Sequence, residues 1–218
     1  MNSMARTLLT VLVVAAAAIG AGWYFSGRDG GGPPETAQAS DQSRVFRANS
    51  HRLNSVPDSD VTFVEFLDFE CEGCRAAFPE VEKLRAEYGD RVNFVVRYFP
   101  MSGHFNGERA ARAVEAAAAQ GKFEAMYEKM FETQPEWGGK REPADDVFRG
   151  FAAHLGLDVA AWEAAYNAQA TIDRVKEDVA DATALGVQGT PTFFLDGEEL
   201  LIRSYGELDT AIKEALSR

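Results

Sequence analysis

The chain has only two cysteines and three histidines among its 218 residues, and no cluster of lysine and arginine. A disulfide-stapled scaffold needs several bridges closing long loops, and one pair three positions apart, Cys71 and Cys74, cannot supply them. A closed zinc site wants four ligands, whereas His51, His104 and His154 are scattered and form no set with the cysteines. Without a basic footprint neither nucleic acid nor anionic lipid is an expected partner, and the formal charge of -12 reads as a solvated acidic surface. No internal repeat is visible. What the chain does have is 46% hydrophobic residues, enough for a real core in one domain of ordinary size plus an appendage.

The appendage is N-terminal. Leu8 to Phe25 is an uncharged apolar run ending in Trp23-Tyr24-Phe25. About 18 residues of helix span about 27 Å, close to the hydrocarbon thickness of a bilayer, and an aromatic end suits the interface. Arg6 precedes the run and Arg28 follows it. Residues 1–25 are expected to form a signal-anchor or transmembrane segment, with the rest of the chain extracytoplasmic at the cell membrane. Ala16 and Ala18 also allow a cleavable signal peptide, which leaves export unchanged. Residues 26–56 open with glycine, proline and small polar residues and are expected to be a flexible linker. The folded domain is then 57–218.

Within that domain the hydrophobic period changes twice. Val61 to Leu67 and Val92 to Phe99 are β-branched and aromatic runs that predict buried strands, with a helix carrying Phe78, Val81, Leu84 and Tyr88 between them. A helical block follows over about 103–186, with Asp158 as a candidate cap. Its aromatic and methionine stripes, Trp137 and Trp162 included, read as packing, and His104 as a cap or surface group ahead of the alternative, contact with the active site. Thr192 to Leu195 and Glu199 to Ile202 flank Asp196-Gly197, a strong hairpin signal, and Glu207 to Leu216 predicts a closing helix.

Chemistry concentrates at Cys71-Glu72-Gly73-Cys74. Strand, turn and helix place Cys71 at a helix N-terminus, whose unsatisfied N–H groups and positive dipole end favour thiolate, the reactive species. Cys74, one turn inward, is suited to resolving a mixed disulfide. Such a bridge closes too short a loop to add much stability, so a purely structural role is poorly motivated. Three other features bear on this pair. Pro79 falls inside the helix. Glu65 sits in an apolar strand, where a carboxylate is expensive unless it faces solvent on an edge; buried, it could shuttle the Cys74 proton. Thr190-Pro191 stands just before a strand, where proline belongs. A cis bond there would expose the Thr190 backbone to an extended substrate peptide.

Glu65, the Cys71/Cys74 pair, Pro79 and Thr190-Pro191 together resemble the thioredoxin superfamily. The helical block and the strings FLDFECEGCRAAFPEVEKL and GVQGTPTFFLDG are similar to its DsbA-like branch, bacterial membrane-anchored members in particular. The resemblance spans roughly Pro57 to Arg218. It implies an α/β, thioredoxin-like fold with an inserted α-helical domain, preceded here by the transmembrane helix. It also implies that Cys71 is the nucleophile, Glu65 the buried acid, Pro191 cis and facing the dithiol, and Thr190 a guide for substrate. Glu72 and Gly73 depart from the Pro-His of strongly oxidising members. A carboxylate beside Cys71 should disfavour its thiolate, so the expected potential is nearer about -200 mV than about -120 mV.

The expected function is thiol–disulfide exchange on exported proteins, as oxidase or isomerase before reductase. It needs no metal or organic cofactor, but it does need a membrane redox partner to reset the dithiol. The alternative is a redox-independent chaperone or binding module at the membrane, which would keep its activity in Cys71→Ser.

Overall fold

The computed structural model describes residues 43–218, and the expected transmembrane segment lies outside them. The elements run β1 (His51–Arg52), β2 (Thr62–Leu67), α1 (Glu72–Tyr88), β3 (Asn93–Tyr98), α2 (Gly107–Ala118), α3 (Phe123–Trp137), α4 (Asp145–His154), α5 (Val159–Tyr166), α6 (Gln169–Ala184), β4 (Thr192–Leu195), β5 (Glu198–Glu199) and α7 (Gly206–Leu216). The sheet is mixed, in the order β1-β3-β2-β4-β5. β2 runs parallel to β3, as a strand–helix–strand crossover through α1 requires, and antiparallel to β4. This is a thioredoxin-like α/β fold, with α2 to α6 inserted between β3 and β4.

Strand alternation sorts the side chains onto two faces. Phe63 and Leu67 of β2, Phe94, Val96 and Tyr98 of β3, and Phe193 and Leu195 of β4 join the larger core with α1, α2 and α3. Val64 and Phe66, Val95 and Phe194 turn the other way, into a smaller cluster with Val45, Ala182 and Val187. By the same parity Glu65 points with Phe63 and Leu67 toward α1. Its strand partners are Val96 and Phe193, so it lies in the middle of the sheet and is 2% exposed; an edge position is excluded.

The second face holds a group that hydrophobic periodicity does not announce. Arg97 is fully buried and donates to Asp178 at 2.6 Å, to Asp181 at 2.7 Å and to the carbonyls of Arg44 and Val45. It joins β3, α6 and the start of the described chain. Residues 45–56, expected as linker, therefore belong to the fold: Val45 and Leu53 are buried, and His51 and Arg52 pair with Val96 and Val95.

The turn after β4 follows its sequence signal. Asp196 and Gly197 have φ of 52° and 90°, the pair of positive angles a tight hairpin with native twist demands. The strand beyond it differs from expectation. β5 starts at Glu198 and stops at Glu199, and Leu201 is 87% exposed. β5 is the sheet edge, and past it Leu200 and Ile202 still pack on the larger core while Leu201 turns outward. Asp158 does cap α5, accepting from the Ala161 N–H. Pro79 lies inside α1, which runs on through it.

Candidate functional site

Cys71 is the N-cap of α1 and makes no side-chain capping bond, so its sulfur stands at the unsatisfied N-terminal N–H groups. It is half-buried, whereas Cys74, one turn along, is fully buried; both are free thiols. The Cys71 thiol donates to the Thr190 carbonyl at 3.3 Å, and the Cys74 sulfur accepts from the Asp68 N–H at 3.4 Å. The Thr190–Pro191 bond is cis. Gly73 faces this loop: a Cβ there would sit 3.3 Å from Pro191 Cδ and 3.4 Å from the Cys71 sulfur. Cys71, Cys74, Gly73, Thr190 and Pro191 thus come together, with Glu65 beneath them and Glu72 exposed to solvent.

The electrostatics separate the two sulfurs. Donation from the Cys74 thiol, then from the Thr190 hydroxyl and the N–H groups of Cys74 and Gly73, outweighs burial and pulls Cys71 down to about 5. The Thr190 hydroxyl is buried and has no other protein partner, so it is available to that thiolate. Cys74 moves well above the ordinary thiol value, through burial first and then its bond to Cys71 and the nearby charges of Glu65 and Cys71. Burial, then the charges of Glu82 and Cys71, push Glu65 up to about 8. A destabilised Cys71 thiolate, expected from Glu72, is therefore corrected. The Glu72 carboxylate is in water, where its field is screened, while the donors to Cys71 are fixed and close.

Several residues that shape this site were not singled out in the sequence. Asp68 is 1% exposed and acts as a hub: its carboxylate accepts from the N–H groups of Glu70 and Met101 and from His104 Nδ1 at 2.5 Å. A Cβ on Gly107 would meet Asp68 Oδ1 at 2.8 Å, so glycine is what lets α2 begin there. Burial works against a charged His104, yet the Asp68 bond and charge outweigh it and raise its pKa. His104 shares a cavity with Cys71, Arg75 and Gln134, and a histidine absent from between the cysteines thus arrives from the loop before α2. Glu70 accepts from the N–H groups of Asn106 and Gly139. Gln134 donates to the carbonyls of Phe69 and Cys71, and Tyr205 donates to that of Gly73. The acids of LDFECEGC were the available signal. Their partners come from the loop before α2 and the turn after α3, which no local pattern links to the cysteines.

Among the described residues no group of His, Cys, Asp and Glu is arranged to hold a metal ion, and no helix is long and apolar enough to cross a membrane.

A family model described as Thioredoxin matches residues 54–214. A Herminiimonas arsenicoxydans protein named Na(+)/H(+) antiporter NhaA is 41% identical over 161 residues, 74% of this chain and 25% of that protein. Na(+)/H(+) antiporter NhaA 1 of Mycobacterium sp. (strain KMS) is 32% identical over 194 residues, 86% of this chain and 30% of that protein. The chain thus spans less than a third of the length of these curated relatives. Among solved structures, a thioredoxin-like oxidoreductase from Silicibacter pomeroyi DSS-3 is 29% identical with a TM-score of 0.68, covering 81% of this chain and 98% of that one. BdbD from Bacillus subtilis, at 22% identity and a TM-score of 0.67, covers 78% of this chain and 94% of its own and shares the fold. So does alpha-DsbA1 of Wolbachia pipientis, at 18% identity and a TM-score of 0.68, covering 82% of this chain and 96% of its own.

Proposed function

The chain belongs to the thioredoxin family, and from that membership and the site's geometry we propose that it is a DsbA-like member that exchanges disulfides with exported, cysteine-containing proteins through Cys71 and Cys74. The observation that carries the reading is the asymmetry of the pair: Cys71 is accessible and held as thiolate, while Cys74 is buried and held as thiol.

As an oxidase, the disulfide form is attacked at Cys71 by a substrate thiolate. Cys74 leaves and takes a proton from Glu65. A second substrate thiolate then attacks the substrate sulfur of the mixed disulfide and expels Cys71 as thiolate. Run backward, Cys71 attacks a substrate disulfide and Cys74 resolves, with Glu65 as the base. Thr190 and Pro191 border the reacting sulfur, where an extended peptide would lie, and Gly73 keeps that approach open. A low-pKa Cys71 is a good leaving group, which favours oxidation and isomerisation over reduction.

The apolar run Leu8 to Phe25 supports tethering at the cell membrane with the folded domain, from Val45 onward, outside the cytoplasm, where disulfides persist and a membrane redox partner can reset the dithiol. Antiport is not carried over from the relatives' names, because the matched stretch is a minor part of those proteins.

The test is disulfide transfer from the oxidised protein to a reduced, unfolded substrate. Transfer by wild type and its loss in Cys71→Ser support exchange. If wild type transfers nothing, and Cys71→Ser keeps unfolded chains soluble as well as wild type does, the redox-independent binding module takes its place.

A further inference from the structure

Three buried side-chain oxygens near the dithiol make no hydrogen bond to another protein atom: Glu65 Oε1, Tyr127 Oη and Glu82 Oε1. Each such orphan is unfavourable, and phenylalanine would fill the Tyr127 site without one, since Phe69, Phe78 and Phe131 already ring it. Tyr127 packs its ring on Phe78 at 5.5 Å, one turn before Glu82 on α1, and Glu82 is the foremost charge acting on Glu65, as Glu65 and Glu82 are on Tyr127. Glu82 also faces two ways. Its Oε1 is buried, while its Oε2 accepts from Arg85 Nε at 3.0 Å, and Arg85 reaches the exposed Glu124 of α3. On its own sheet Glu65 has only Val96 and Phe193 beside it, neither able to pass a proton.

We propose that Tyr127 and Glu82 relay protons between Glu65, deep beside Cys74, and the solvent. The inference rests on the exchange chemistry proposed above. When Cys74 resolves a mixed disulfide, its sulfur bonds Cys71 Sγ, the Cys71–substrate bond breaks, and the electron pair leaves with the substrate thiolate. The Cys74 proton goes to the Glu65 carboxylate. To act again, Glu65 passes that proton to the Tyr127 oxygen as the Tyr127 hydroxyl proton moves to Glu82, which releases it to water. Tyrosine stays neutral throughout, and because none of the three oxygens bonds another protein atom, each transfer passes through one water. Since Glu65 titrates near 8, at neutral pH it holds a proton most of the time, and each resolution begins by removing it. The ionisable groups around this route are Cys71 at the N-cap of α1, Cys74, Glu82 and Arg85 within it, Glu124, Tyr127 and Glu128 of α3, and Tyr205 just before α7.

The experiment mixes the reduced full chain with an aromatic disulfide whose released thiolate is coloured. Cys71 releases the first thiolate in a fast phase, and Cys74 displaces the second in a later one. Tyr127→Phe and Glu82→Gln are each expected to slow the second phase relative to the first by about tenfold at pH 7, less than loss of a general base outright. In Glu82→Gln the midpoint of the second-phase pH profile also falls, because a negative neighbour of Glu65 is gone. Tyr127→Phe keeps or gains folding stability, which separates a relay from a packing role. A second phase within twofold of wild type across the pH range in either variant, or both phases slowing alike, overturns the relay. A wild type that releases only the first thiolate overturns the exchange reading and the relay with it.

Discussion

Replacing Cys74 by alanine removes the strongest hydrogen-bond donor to the Cys71 sulfur and leaves one thiol to titrate. A hydrogen bond to a charged acceptor contributes about 1.5–3 kcal/mol, and Cys71 is only half-buried, so solvent screening places the effect at the lower end. About 1.5 kcal/mol is roughly one pKa unit. The ultraviolet absorbance of the thiolate should therefore titrate near 5 in the reduced wild type and near about 6 in Cys74→Ala. Cys74 itself is silent in this range, being held well above the ordinary thiol value. A wild-type midpoint above about 8, or a variant midpoint unmoved, would refute the reasoning. The consequence concerns direction. From an ordinary value of 9.0 down to about 5, the thiolate fraction at pH 7 rises about a hundredfold, but intrinsic nucleophilicity falls by about 40–100-fold. Attack gains almost nothing, whereas departure of Cys71 gains in full. The reduced form at pH 7 is favoured by about 2.7 kcal/mol before screening and about 1.4 kcal/mol after halving for exposure, equivalent to about 30 mV. Because the pKa is depressed, that contribution is lost as pH falls through about 5 and is complete only above the ordinary thiol value. The expected potential moves upward from -200 mV by about that amount.

Three further outcomes follow from the same packing. Glu65 holds a proton in the folded state that the unfolded chain releases between the ordinary 4.5 and about 8, so stability falls with rising pH across that window. Glu65→Gln should remove a penalty on the order of 3 kcal/mol by pH 7, seen as urea midpoints that no longer drop between pH 5 and pH 8, while slowing resolution. Arg97→Met leaves Asp178 paired with Arg174 and Asp181 with the more exposed Arg47 and Arg44, so it should destabilise by about 3 kcal/mol in denaturant melts, the low end for breaking a buried pair; a loss under about 1 kcal/mol would deny Arg97 its structural role. Gly107→Ala drives a methyl group against Asp68 and should destabilise by about 1–3 kcal/mol. It should also lower the His104 pKa, read by NMR titration, and an unchanged His104 would mean that Asp68 does not hold it.

What the sequence by itself determined is what local patterns encode. β-Branched and aromatic runs marked β2 and β3, while whether Glu65 was buried waited on its place in the sheet. The change to helical spacing marked the insertion, and Asp196-Gly197 marked the hairpin because its positive φ angles suit few other pairs. The CxxC spacing and a following helix sufficed to nominate Cys71 and Cys74. The tertiary structure decided everything that depends on which distant residues meet. Glu72, adjacent in sequence, turns out to matter little to Cys71, because water screens it. Thr190, 119 positions away, places its carbonyl against the same sulfur and its unpaired hydroxyl within that sulfur's surroundings. His104, Gln134 and Tyr205 reach the loop from three separate stretches of chain, and past Glu199 the ladder ends while Leu200 and Ile202 stay packed on the core. Propensity and periodicity are short-range properties of the chain. The field at a sulfur is set by burial and by the nearest fixed dipoles, and these exist only once the chain has closed around it.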